Sequence, residues 1–189
     1  HNSYSKKQPI TALEVRRALY WSLLGTPTAG VSYGAAGVWG WDDGDAPTPG
    51  YPGAGTPPAW HVALNFEAGE QVAYLSALFQ SIEFQALRPD NRVLVEQPGD
   101  EVLSEYAAAA SSAAGNLVVV YTPVEKRLKV SVAKLPTPLI AAWVNPRTGE
   151  RSSVLAVLRG AALECPAPGP GDWLLLLRSK SAEPETAGN

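Results

Sequence analysis

The sequence predicts an α/β segment followed by an all-β segment. Three observations carry this. The first ninety residues read helix, strand, long loop, helix, the order of an α/β barrel or a doubly wound sheet. From Arg88-Pro89-Asp90-Asn91 onward, short apolar runs recur between turn signals, the habit of an antiparallel sandwich. The chain has 189 residues, 46% of them hydrophobic and 17% charged, so apolar mass suffices for a core. Length alone allows one domain or two small ones.

The first helix is announced by Thr11-Ala12-Leu13-Glu14, which fits a capping box. Ile10 and Val15 occupy the staple positions. Leu13, Arg16 or Arg17, Tyr20 and Leu24 follow at helical spacing, and Gly25 stops the run. Thr28 to Tyr33, flanked by Gly30 and Gly34, reads as a short buried strand. A second helix is expected from Ala68 to about Ser81, with Val72, Leu75, Leu78 and Phe79 as its apolar stripe.

Strands are then expected at Leu117–Thr122, Arg127–Ala133, Leu139–Val144, Val154–Leu158 and Trp173–Leu177, with a weaker one at Tyr106–Ala110. Leu128, Val130 and Val132 alternate with Lys129 and Ser131, giving one buried and one wet face. Gly115-Asn116, Pro123 to Lys126, and Asn145 to Gly149 are turns, the last with Gly149 available for positive φ. The expected units are residues 1–90, a β-sandwich over 91–178, and a flexible tail over 179–189.

Composition excludes several function classes. The formal net charge is −3 with no basic block, which argues against a nucleic-acid partner. No apolar run reaches membrane-span length, so no membrane partner is expected. One cysteine, Cys165, allows no intramolecular disulfide and is read as an inert buried thiol. With two histidines beside it, no Cys/His zinc cluster can form, and no metal site is expected. Phosphate-loop, dinucleotide and Gly-x-Ser-x-Gly signatures are missing, so no cofactor is expected and serine hydrolase chemistry has no support. The opening residues lack a signal-peptide pattern. A chain without any Met reads as a processed or truncated piece of something larger.

The most informative stretch is residues 29–66. It holds three of the six Trp (Trp39, Trp41, Trp60) and three Asp (Asp42, Asp43, Asp45) within a loop dense in Pro and Gly. Long connections of this kind are functional or disordered, and a Trp-rich one is costly to leave in water. Flat aromatic faces beside carboxylates suit a sugar cleft, so carbohydrate is the expected partner. Trp39 and Trp41 can stack on a pyranose face, or one of them can serve as core. Tyr33 ends the expected strand, where barrel strands deliver functional groups. His61 can bond a hydroxyl or serve as a structural group. The three Asp form either part of a cleft or a solvated turn around Gly44. Glycoside hydrolysis needs two carboxyls facing one bond, roughly 5 Å apart for retention or about 6.5–9.5 Å for inversion. Nothing forces two of these three across a cleft, so the catalytic residues stay unknown.

Residues Arg16 to Leu24, Ala29 to Gly34 and Gly37-Val38-Trp39 resemble the end of the catalytic barrel in apiosidase-like glycoside hydrolases. Asn145-Pro146-Arg147-Thr148-Gly149 and Trp173 to Leu177 resemble the small β-domain, often labelled collagen-binding, that follows that barrel. The resemblance implies the last helix-strand-helix of a (β/α)8 barrel: Thr11–Leu24 as its seventh helix, Val31–Gly34 as its eighth strand and Ala68–Ser81 as its eighth helix. It implies a hydrolase of plant or microbial polysaccharide, with Tyr33, Trp39, Trp41, Asp42 and His61 as substrate contacts. A bacterial extracellular or periplasmic setting suits such an activity. The family's carboxylates stand at the ends of strands four and seven. Strand four is absent here, and the strand-seven position falls at or just before His1. Ala35 and Ala36 replace the polar residues that relatives often carry after Tyr-Gly. The chain should therefore be inactive without the remaining barrel, present as a companion chain or domain. The competing expectation is a non-catalytic carbohydrate- or protein-binding module.

Overall fold

The computed structural model describes residues 10–50 and 55–179. His1 and all of the expected tail except Ser179 lie outside the described residues. Helix α1 spans Ala12–Gly25. Its capping box forms as expected. The Thr11 N–H donates to Glu14 Oε2 at 2.7 Å, and the Glu14 N–H donates to Thr11 Oγ1 at 3.2 Å. The Thr11 backbone bond, then the hydroxyl bond, holds the Glu14 carboxyl below its usual range. Ile10 and Val15 both join the helix-side core, as the staple requires. Removing the cap with Thr11→Ala should cost about 1 kcal/mol in urea denaturation at neutral pH. A carboxylate with a depressed folded pKa stabilises above its unfolded pKa and stops doing so as pH falls through the folded one. The deficit of the variant should therefore shrink below about pH 4.

Helix α1 ends one residue later than the glycine signal suggests. Gly25 is its last helical residue, and extended Thr26 caps it by donating its hydroxyl to the Ser22 carbonyl at 3.0 Å. A single turn, α2 (Trp60–Ala63), precedes helix α3 (Glu67–Gln80). Helix α3 agrees with the expected helix to within one residue at each end, and it buries Ala68, Gln71, Leu75, Leu78 and Phe79.

The expected strand at Thr28–Tyr33 is not formed. Thr28 folds back on Gly30, its hydroxyl donating to the Gly30 carbonyl at 2.8 Å, and only Ala35 makes a single bridge. A strand exists through its ladder, and among the described residues no strand lies alongside this segment.

The strands are β1 (Leu87–Pro89), β2 (Ala108–Ser112), β3 (Leu117–Thr122), β4 (Arg127–Ser131), β5 (Leu139–Val144), β6 (Arg151–Ser153), β7 (Val157–Arg159), β8 (Ala162–Pro166) and β9 (Trp173–Ser179). One sheet runs β1-β2-β3-β9-β5-β6 and the other β4-β8-β7, every pairing antiparallel. β3 and β5 form where the apolar runs predict. The weak run at Tyr106 slides two residues onward to become β2. The run at Val154–Leu158 splits, so that only Val157 and Leu158 pair, within β7. β6 was missed because Arg-Ser-Ser carries no apolar signal and is exposed throughout. β8 was missed because Glu164 and Pro166 interrupt its run.

Strands β3 and β9 explain the layering. Leu117, Val119, Tyr121, Leu174 and Leu176 face helices α1 and α3, joining Val15, Leu19, Tyr20, Leu24, Leu75 and Phe79. Val118, Val120, Leu175 and Leu177 face the second sheet, joining Leu128, Val130, Trp143 and Cys165. Period-two alternation thus feeds two cores from one strand. Three layers result: helices, large sheet, small sheet. Both faces of the central strands are covered, which is why they read as unbroken apolar runs. Cys165 sits in β8, fully buried, and burial pushes its thiol up to about 11.

Candidate functional site

Between α1 and α3 the chain builds a compact aromatic loop. After Tyr33 it coils tightly. The Val38 and Trp39 N–H groups donate to the Ala35 carbonyl, at 3.2 and 3.3 Å, and the Asp42 N–H donates to the Gly37 carbonyl at 2.9 Å. Gly37 has φ +92, and a Cβ there would stand 2.4 Å from the Pro58 carbonyl oxygen. Only glycine fits. Trp41 has φ 51, a left-handed conformation that strains a bulky residue and that the surrounding turns must hold.

The far side of the loop locks onto this coil. The Trp60 N–H donates to the Asp42 carbonyl at 2.8 Å. The Trp41 ring meets Trp60 edge-on at 5.3 Å, and Trp60 meets His61 at 5.6 Å and 88°. The fold thereby unites Trp41, Asp42, Trp60 and His61. Trp41 is 70% exposed and Trp39 43%. Tyr33 is half-buried against the first turn of α3, its ring 3.7 Å from the place a Gly69 Cβ would occupy, and burial raises its phenol pKa. His61 is exposed.

The three Asp separate. Asp43 and Asp45 are exposed beside Gly44, in keeping with a solvated turn. Asp42 is not part of that turn's surface: it is 8% exposed, and its Oδ2 has no hydrogen-bond partner among the described residues. Gly40 makes room for it, since a Cβ there would stand 2.5 Å from that oxygen. Among the described residues no group of three or more His, Cys, Asp or Glu could hold a metal ion, and no helix is long and apolar enough to cross a membrane.

Sequence reasoning missed a second constellation. Arg16 of α1 grips Asp172, at the start of β9, with both arms of its fork: Nε donates to Oδ2 at 2.8 Å and Nη2 to Oδ1 at 2.7 Å. The Tyr121 hydroxyl donates to the same Oδ2 at 3.0 Å. The Arg16 Nη1 donates to Gln71 Oε1, and Gln71 donates in turn to Glu67, both on α3. Tyr20 stacks on Tyr121 at 4.7 Å. Burial works against the Arg16 charge, but the Asp172 hydrogen bonds and charge outweigh it, and the guanidinium pKa ends above its ordinary value. Burial first, then the negative charge of Asp172, pushes the Tyr20 and Tyr121 phenols far up, so both stay protonated. One signal was available. Arg16 falls at an apolar-stripe position of α1, and a buried cation demands a partner. The partner, 156 residues away, was not readable.

Residues 1–86 match the family model described as "Apiosidase-like, catalytic domain". Residues 88–178 match the model described as "Putative collagen-binding domain of a collagenase". The chain is thus similar to the apiosidase-like catalytic domain over residues 1–86 and to that β-domain over residues 88–178. The chain also resembles two solved structures. One is titled "Glycoside hydrolase", with TM-score 0.77, 21% identity, and 94% of this chain covering 39% of that one. The other is a glycoside hydrolase family 5 protein from Bacteroides vulgatus ATCC 8482, with TM-score 0.78, 19% identity, and coverage of 94% and 38%. The mixed fold of few helices and antiparallel sheets is therefore shared with glycoside hydrolase structures. The chain spans about two-fifths of the length of those solved chains. No curated protein matches the sequence.

Proposed function

We propose that this chain is the C-terminal portion of a glycoside hydrolase acting on plant or microbial polysaccharide. Residues 1–90 supply the end of a (β/α)8 barrel, with α1 and α3 as its last two helices. Val31–Gly34 is the segment that pairs as its eighth strand once the remaining barrel lies alongside, and residues 91–178 supply a β-sandwich appendage. The loop between α1 and α3 forms part of the sugar cleft, with Tyr33, Trp39, Trp41, Asp42 and His61 as contacts. The observation that carries this reading is Trp41, a tryptophan held exposed in a strained backbone conformation by its own loop. An indole left in water at that expense is explained by a ligand that covers it. The same region exposes Val62 and Leu64, apolar groups that the remaining barrel would cover as a companion chain or domain. The share of the solved chains that this one spans supports that view.

The test is to mix this chain with a separately made N-terminal barrel piece and assay aryl-glycoside cleavage. The two pieces should associate, and cleavage should appear only in the mixture. The Trp41→Ala chain should still associate but raise KM by roughly three- to tenfold, the scale of one aromatic contact. Pieces that neither associate nor cleave defeat the reading.

A second reading, a non-catalytic carbohydrate- or protein-binding β-sandwich module, is favoured by the description of the model that residues 88–178 match. Retention of this chain alone on immobilised polysaccharide or collagen would support it.

A further inference from the structure

From the route of the buried polar network we infer that Asp172 is a positioning residue, through which the β-domain sets the geometry of the aromatic loop. The route is continuous. Asp172 holds both arms of the Arg16 fork, Arg16 holds Gln71, and Gln71 holds Glu67. Glu67 is the first residue of α3 and directly follows the loop. From there short backbone bonds run back through the loop's end: Phe66 N–H to Ala63 at 3.3 Å, Leu64 N–H to Trp60 at 3.0 Å, and Trp60 N–H to Asp42 at 2.8 Å. Asp42 is bonded to Trp41. The Asp172 carboxylate, immediately before β9, is thus linked to the exposed indole through hydrogen bonds and adjacent residues alone.

Asp172 is itself held on the far side. The Tyr121 hydroxyl fixes one of its oxygens. Gly171, with φ +93, lies so close under Arg147 that a Cβ would meet Nη1 at 2.1 Å. Arg147 is anchored by the Pro170 carbonyl at 2.9 Å and lies over the Trp173 ring at 5.3 Å. The carboxylate presented to Arg16 therefore has a fixed direction.

The chemistry of the pair favours a geometric role. Replacing a buried ion pair by well-packed apolar residues is often neutral or stabilising, so such a pair is weak evidence of stability alone. A bidentate guanidinium–carboxylate contact specifies distance and plane, which apolar packing does not. Arg16 lies on α1, before the loop, and Gln71 and Glu67 lie on α3, after it. Asp172 thereby registers the two helices that bracket the loop.

The test uses the full chain and reads the loop directly, so it does not depend on any sugar being bound. The double variant Arg16→Met/Asp172→Leu is compared with the parent by thermal melting and amide hydrogen exchange. The melting temperature should fall only modestly, because the pair is removed together and the Tyr121 hydroxyl alone loses its acceptor. Exchange across residues 35–50 and 55–66 should quicken at least fivefold while β3 and β9 keep their protection. Unchanged exchange in the loop overturns the inference, because a merely structural pair is replaced without effect on it. Should the double variant not fold, Arg16→Lys keeps the charge and loses the fork. It should show the same loop-confined quickening, and a change that is absent or spread evenly over loop and core overturns the inference.

Discussion

Replacing Asp172 with alanine should destabilise the chain by about 3–5 kcal/mol, read as a fall in the urea midpoint with little change in slope. The variant strands a guanidinium. The side chains of Arg16 and Asp172 are 6% and 1% exposed, so Arg16 loses its two best acceptors with no water to replace them. The Tyr121 hydroxyl loses its acceptor as well. Since Tyr121 stays protonated throughout the accessible pH range, titration of that phenol offers no relief. The exposed pair of Arg92 and Asp90 is the internal control. Its N–O distance of 2.8 Å is equally short, but the arginine is 89% exposed. Such a pair contributes about 0–1 kcal/mol, because water solvates either partner once the other is gone. Total stability for a domain is about 5–15 kcal/mol, so the Asp172 variant should lie near the edge of folding. A loss below about 1 kcal/mol would mean that solvent reaches Arg16 and that the network is not the buried clamp described above.

The contrast between the two pairs bears on what a sequence exposes to reading. Local devices were legible. The Thr11–Glu14 box spans four residues, and its hydrogen bonds depend on nothing farther away. The unbroken apolar runs of β3 and β5 were equally plain, because β-branched and aromatic residues mark strands wherever they pair. What failed depended on neighbours. Val31 and Tyr33 have strand-like chemistry, but a ladder needs a second strand. The resemblance singles Asp42 out of the three Asp as a substrate contact, but only the fold shows Gly40 admitting its side chain to the interior. β8 pairs well despite its poor pattern because Leu128 and Val130 of β4 supply the partner face opposite Cys165 and Leu163. The aromatic loop was legible as a cluster of residue types. Its internal order, with Trp41 against Trp60 and Trp60 against His61, was not, since it arises from the bond between Trp60 and Asp42, 18 positions apart.

Trp143→Ala should be the second severe change, with a loss of about 3 kcal/mol, the lower end of the range for deleting a buried tryptophan or phenylalanine. Trp143 is 1% exposed and packs in the core between the sheets, edge-on to Trp173 at 6.3 Å and 72°. Its strand neighbour across the ladder is Leu175, also fully buried, so the walls of the cavity belong to β5 and β9 at the centre of the sheet and cannot close easily. That argues for a large loss. The opposing effect is the indole nitrogen. Nε1 of Trp143 is buried with no hydrogen-bond partner among the described residues, whereas Trp173 Nε1 donates to the Gly169 carbonyl at 2.8 Å. An unmade bond of this kind costs about 1–3 kcal/mol in the parent, and the variant sheds that penalty along with the ring. The two effects separate in Trp143→Phe, which keeps most of the aromatic volume and discards the orphaned N–H. It should lose less than about 1.5 kcal/mol, the scale of a shape-conserving core exchange. If the phenylalanine variant falls as far as the alanine one, indole shape and not volume holds the two sheets in register.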